Sequence, residues 1–350
     1  MKKRIHLFLI FLLFLLQSTI LLGQDKQIPK GTVQRIRVHG KGLENNLSGD
    51  SADRYVSIYL PAGYKSNPKK RYPVVYFLHG YTDDDAKFYG FSKHWMNIVP
   101  ILDTVFGTGK VREMIVVTPN AYNRFQGSMY SNSITTGNWE DYVAKELVAY
   151  IDKHYRTIPK AASRGLTGHS MGGYGAMRIG EKDPDVFSSI YLMSPCCLTQ
   201  PMVPTLPPAS LQIDSINTFE ELQQAPFGTK IFFASAAAWS PNPERPPLYI
   251  DLPVKDGKID SLVVAKWMAN RPLITLDQNI SNLKKLKAIG FDAGTRDQSI
   301  AASIKVLDAE LTKYGIKHTF QIYEGDHINK IAERMAGNML VFFSKNLSFK

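Results

Sequence analysis

Ser170 stands in the stretch GHSMGGYGA, with Gly168 two residues before it and Gly172 two residues after it. A serine hydroxyl is a weak nucleophile and attacks a carbonyl carbon only when a base takes its proton. The G-x-S-x-G spacing supplies such a serine when a strand leads into it and a helix leaves it. Here RGLTG (164–168) reads as a short strand and a helix begins near Met171. On that sharp turn the serine takes a strained backbone conformation, and glycines at 168 and 172 let strand and helix approach. Gly173, Gly175 and Ala176 extend the small-residue face of the helix.

The base must be a histidine, and on a strand–elbow–helix scaffold the chain order is serine, acid, histidine. Only His318 and His327 follow Ser170. His318 begins the strand-like KHTFQIY (317–323), roughly 16 Å from the end where ligands bind, at ~3.3 Å per residue. His327, in YEGDHI, falls just past that end and is the expected base. The acid should leave the preceding strand, LKAIGFDAG (286–294), which is followed by TRD. Asp297 lies on the loop beyond it and is favoured on geometry; Asp292 lies inside the strand and stands in reserve. Asp326 is disfavoured because adjacent side chains diverge from His327. For the developing oxyanion, the N–H of Met171 and that of Tyr81, in LHGYTDDD, are the expected donors, each worth ~3–4 kcal/mol. The acids Asp83 to Asp85 suit a helix start better than a metal. No HExxH spacing occurs, and neither a metal nor a cofactor is expected.

These residues need a scaffold that brings strand ends together. YPVVYFLHG (72–80), MIVVTPN (114–120) and SSIYLMSP (188–195) are near-continuous apolar runs, as in strands buried on both faces. RIRVHG (35–40) and YVSIYLP (55–61) alternate and read as half-exposed antiparallel strands. In NWEDYVAKELVAYIDKHY, Trp139, Val143, Leu147, Ile151 and Tyr155 form one apolar stripe. Ile300, Ile304, Leu307, Leu311 and Tyr314 do the same, with Gly315 placed to end their helix. A last helix is expected from about Ile328 to Lys345. Alternation of this kind predicts an α/β fold: a mostly parallel central sheet with helices on both faces. Residues 198 to about 285 break the rhythm with the proline-rich WSPNPERPPLYIDLPV (239–254), flanked by helix candidates 217–225 and 261–270. They read as a cap-like insertion that walls a pocket.

Lys2, Lys3 and Arg4 precede the apolar run Leu7 to Leu16, a polar break at Gln17 to Thr19, and Ile20 to Gly23. This reads as an export signal over 1–23, leaving 24–350 as one domain in the periplasm or outside the cell, with no stable membrane span expected after cleavage. Without those three cations the formal charge of +11 falls to +8, and the remaining Lys and Arg are scattered. No aromatic-interleaved basic patch supports a nucleic-acid partner. The two cysteines, Cys196 and Cys197, are adjacent. A disulfide between them would close a strained eight-membered ring, so buried thiols are expected.

YFLHGYTDD, TGHSMGGYGAM, GTRD and EGDH, in this order and spacing, resemble the esterase D family of α/β-hydrolases. The likeness runs from about Gly31 to Lys345. It implies an α/β-hydrolase fold, Ser170, Asp297 and His327 as a catalytic triad, and Tyr81 and Met171 as oxyanion donors. The family includes feruloyl esterases, S-formylglutathione hydrolases and mycobacterial mycolyltransferases. It implies a serine carboxylic-ester hydrolase working through an acyl-enzyme. QGSMYSNSITTGNW (126–139) resembles the family's stretch that contributes to the substrate pocket, and the insertion departs from its shorter members. Export disfavours a glutathione thioester and favours small or polysaccharide-linked esters carrying feruloyl or acetyl groups. The alternatives are an acyltransferase using the same acyl-enzyme and a non-catalytic hydrolase-fold binding protein.

Overall fold

The computed structural model describes residues 28–199 and 213–350; the expected signal over 1–23 and residues 200–212 of the insertion lie outside the described residues. Among the described residues, eight strands form the central sheet: β1 (Thr32–His39), β2 (Asp53–Leu60), β3 (Val74–Leu78), β4 (Ile115–Pro119), β5 (Arg164–His169), β6 (Ser189–Met193), β7 (Ala288–Gly294) and β8 (Thr319–Tyr323). Their spatial order is β1-β2-β4-β3-β5-β6-β7-β8. Only β2 runs antiparallel to its neighbours β1 and β4; every other pairing is parallel.

The apolar runs explain the layers. In β3, Val74, Tyr76 and Leu78 point to one core and Val75 and Phe77 to the other, all fully buried. A strand apolar at every position fits only between two covered faces. β2 departs from the half-exposed expectation, because it lies one strand in from the edge and is covered on both faces. Val56, Ile58 and Leu60 belong to one core and Tyr59 to the other. The polar interruption of that run, Ser57, is also buried and donates to Asp85 at 2.7 Å.

Helices cover both faces: α1 (Ile98–Gly107), α2 (139–154), α3 (Met171–Lys182), α4 (Phe227–Trp239), α5 (Gln298–Lys313) and α6 (331–346). α2 carries the predicted stripe but contains a π-helical turn over Tyr142–Leu147. α5 ends where predicted, with Gly315 at φ +67°. Helix candidates 217–225 and 261–270 appear as Phe219–Gln224 and Ser261–Met268. The sequence reading missed α1 and α4. In α4 the segment FASAAAW is apolar on every side and buried, so it lacks the one-sided stripe that marks a surface helix.

α3 packs in the middle of the molecule and buries Glu181, whose Oε2 has no hydrogen-bond partner. Burial pushes this carboxyl up to about 8, against the opposing pull of Lys182 and Arg178 and with Glu140 adding to the rise. Between about pH 4 and 8 the unfolded chain releases this proton while the folded chain keeps it. Stability therefore falls as pH rises through that window and levels off above it. Glu181→Gln keeps the neutral shape and is expected to stabilise the fold by ~2–4 kcal/mol near pH 8 and hardly at all near pH 4, read by urea unfolding at both. An equal gain at both pH values would contradict a protonated Glu181.

Candidate active site

The sheet delivers three side chains to one place. Ser170 follows β5 directly and caps α3, with φ +57° and ψ −114°, a region that a non-glycine residue rarely occupies. The strain is held by tight packing on both sides. A Cβ on Gly172 would lie 1.9 Å from the Leu78 carbonyl oxygen, and one on Gly168 would lie 2.4 Å from the Gly172 backbone. The Ser170 N–H donates to Met193 O at 3.0 Å, which ties the turn to β6.

Asp297 and His327 leave neighbouring strands whose ends are in register, Gly294 beside Tyr323. Their loops are laced by Thr295 N–H to Tyr323 O at 2.8 Å and Arg296 N–H to Gly325 O at 2.9 Å. Gly294 allows that approach, since a Cβ there would meet Gly325 O at 2.4 Å. Three residues past β7 stands Asp297, and four past β8 stands His327. His327 Nδ1 lies 2.6 Å from Asp297 Oδ2, and its Nε2 lies 3.0 Å from Ser170 Oγ. With the proton on Nδ1, where the carboxylate accepts it, Nε2 is left to accept the serine proton.

The competing residues are elsewhere engaged. Asp292 is fully buried and accepts from Arg334 Nη2 at 2.7 Å and Tyr191 OH at 2.6 Å. His318 lies by Asp308 at 2.8 Å, and Asp326 accepts from Ile328 N–H and Asn329 N–H on its own loop. Among the acids at the end of β3, Asp84 caps the turn Asp85–Phe88 through Lys87 N–H, and Asp85 pairs with Arg35 at 2.8 Å. No group of three or more potential metal ligands occurs among the described residues.

Tyr81 and Met171 line the same cavity as Ser170 and His327. No backbone carbonyl among the described residues accepts from either N–H. The Gly80–Tyr81 turn is fixed by buried His79. Its Nε2 accepts from Ala121 N–H at 2.8 Å, which leaves the Nδ1 proton for Gly80 O at 2.8 Å. Burial pushes this imidazole down, so it stays neutral in that role.

Sequence reasoning missed several residues here. His169, inside the motif itself, lies with Nε2 2.8 Å from the His327 carbonyl oxygen and ties the His327 loop to the elbow. Burial, and then the neighbouring His327, push it down to about 3. Trp95, Phe227 and Ile231 line the cavity of about 400 Å³, together with Met129, Ile300 and Ile328. Cys196 and Cys197 also line it and are half-buried, against the expectation of buried thiols. The strand-end rule that located Ser170 could have found the cysteines, which follow β6. Nothing in the sequence marks Phe227 or Trp95. A larger depression of about 880 Å³ lies among residues 213–261, but no histidine lines it.

The sequence profile described as "Putative esterase" matches residues 51–331, most of the chain. The chain belongs to this esterase family. It is 30% identical over 139 residues to an esterase of Mycobacterium tuberculosis strain H37Rv, a stretch covering 38% of this chain and 27% of that protein. It is also 29% identical over 143 residues to an endo-1,4-beta-xylanase/feruloyl esterase of Xylanibacter ruminicola, covering 39% of this chain and 19% of the relative. The match thus spans about a quarter or less of either relative's length. Among solved structures, a ferulic acid esterase superposes with a TM-score of 0.64 at 20% identity, covering 91% of this chain and 99% of the other. The chain has the α/β-hydrolase fold of these esterase-family structures. No helix among the described residues is long and apolar enough to cross a membrane.

Proposed function

We propose that the chain is an exported serine carboxylic-ester hydrolase with Ser170, His327 and Asp297 as its triad. The observation that carries this is the continuous chain of contacts from Asp297 through His327 to Ser170, at 2.6 and 3.0 Å, opening into a cavity. His327 takes the serine proton as Ser170 attacks the acyl carbon, then gives it to the leaving alcohol. Asp297 holds the imidazole and balances its charge. The N–H groups of Met171 and Tyr81 receive the oxyanion, and water releases the acyl-enzyme by the same steps in reverse.

The walls favour a bulky, flat acyl group. Phe227 and Trp95 are 61% and 45% exposed, although both rings are large and apolar. Such rings at a cavity mouth are characteristic of binding surfaces. Feruloyl esters on polysaccharides fit this reading, with acetyl esters as smaller substrates, and the insertion at 198–285 supplies one wall of a single domain over 24–350. The test is a panel of methyl ferulate, acetylated xylan and short-chain acyl esters, run with and without an alcohol acceptor. Methyl ferulate is expected to show the highest kcat/KM, with hydrolysis exceeding transfer. Transfer that outruns hydrolysis would replace the hydrolase with an acyltransferase. Preference for acetyl over feruloyl esters would refute the aromatic wall.

A further inference from the structure

The segment Ser194–Cys197, after β6, turns back beside the nucleophile, and Cys196 N–H donates to Ser170 O at 3.1 Å. Cys197 has φ +63°, in the left-handed region, and the two neighbouring thiols, which would diverge on an extended chain, line the same cavity. Arg271 approaches from the insertion. It is 5% exposed and donates through Nη1 to Cys197 O at 3.2 Å. No carboxylate among the described residues pairs with this guanidinium, and its Nε has no hydrogen-bond partner. Its face lies 4.5 Å from the Trp239 ring. A buried cation without an anion is costly, and ionisation of the nearby thiol would supply the missing charge.

We propose that Cys196 and Cys197 form a dithiol site in the wall of the ester pocket that captures trivalent arsenicals and similar soft electrophiles, and that capture closes the pocket to substrate. Cys197, beside Arg271, is the thiolate and Cys196 is the neutral thiol. The neighbouring Cys196, then Arg271, lowers the Cys197 thiol, while Cys197 and then burial raise Cys196. A disulfide requires the sulfurs to close to about 2.05 Å in a strained ring. Two adjacent thiols that line one cavity suit one atom bonded to both. With an arylarsenoxide, two As–S bonds form and the As–O bonds break. The oxygen leaves as water with the Cys196 proton and one proton from solvent, and no oxidation state changes.

The blockade rests on the ester-pocket reading; the thiol site does not, and the experiment separates them. The full-length protein is titrated with phenylarsine oxide while intact mass and p-nitrophenyl acetate turnover are followed. One equivalent is expected to give a bridged adduct and loss of turnover, reversed by 2,3-dimercaptopropanol but not by an equal concentration of a monothiol. Cys196→Ser and Cys197→Ser, each normalised to its own untreated rate, should need about 10²-fold more reagent for half-inhibition, because one of two linked bonds is lost. Limiting iodoacetamide on the wild type should label Cys197 before Cys196, a readout that needs no variant to fold. Absence of a bridged adduct, or labelling of Cys196 first, overturns the site whatever the esterase activity. A bridged adduct that turns over ester at the full rate overturns the blockade alone.

Discussion

Ser170→Ala is expected to lower kcat for p-nitrophenyl acetate by ~10⁴–10⁶-fold with little change in KM. The size follows from what is removed: with no Oγ there is no acyl-enzyme, and His327 can only assist water. The oxyanion donors and the pocket remain, which sets the floor above the uncatalysed rate. The variant should fold, because Ala occupies no more space than Ser. It inherits the same φ of +57°, so the strain stays. Ser170→Gly removes both the nucleophile and the Cβ that makes this conformation costly. It should be as inactive as Ser170→Ala and more stable by ~1 kcal/mol in urea unfolding. Undiminished turnover in either variant would remove Ser170 from the reaction. A Gly variant no more stable than the Ala variant would show that the elbow stores no strain.

How much of this could be read in advance depended on where the information lay. The sheet was legible because β3, β4 and β6 are apolar at nearly every position, which only a doubly covered strand can be. The positions of Ser170, Asp297 and His327 were legible for a related reason: each falls within a few residues of a strand's carboxyl end, and strand ends in a parallel sheet converge. What the sequence could not convey was the third dimension of the pocket. α4 has no one-sided stripe, and Phe227 begins it at a point that no periodicity singles out. Arg271 meets Cys197 across 74 positions of chain, a contact that depends on how the insertion folds back. β2 looked half-exposed because Ser57 interrupts its apolar residues, whereas that serine is buried with Asp85 as its acceptor.

The choice between Asp297 and Asp292 yields the other large effect, because the two carboxylates should fail in different ways. Asp297 is mostly buried at 12% side-chain exposure and lies 2.6 Å from His327 Nδ1. Asp297→Asn keeps the shape but no longer accepts a proton-bearing Nδ1 as a carboxylate does, and it leaves the imidazolium uncompensated. A loss of ~10⁴-fold in kcat is expected, with the unfolding midpoint close to that of the wild type. Asp292 meets no reacting atom. It neutralises Arg334, whose Nε and Nη2 both reach Oδ2, and it accepts from Tyr191 in the core beneath the site. Asp292→Asn strands that guanidinium, and breaking a buried pair from one side costs ~3–5 kcal/mol of stability. Its folded fraction should still turn over ester within about tenfold of the wild type. Activity lost at Asp292 with stability intact, or activity kept at Asp297→Asn, would reverse the assignment. The β7–β8 register argues against that reversal: Asp292 pairs with Gln321 two residues inside the strand ends, while Asp297 lies beyond them where His327 emerges.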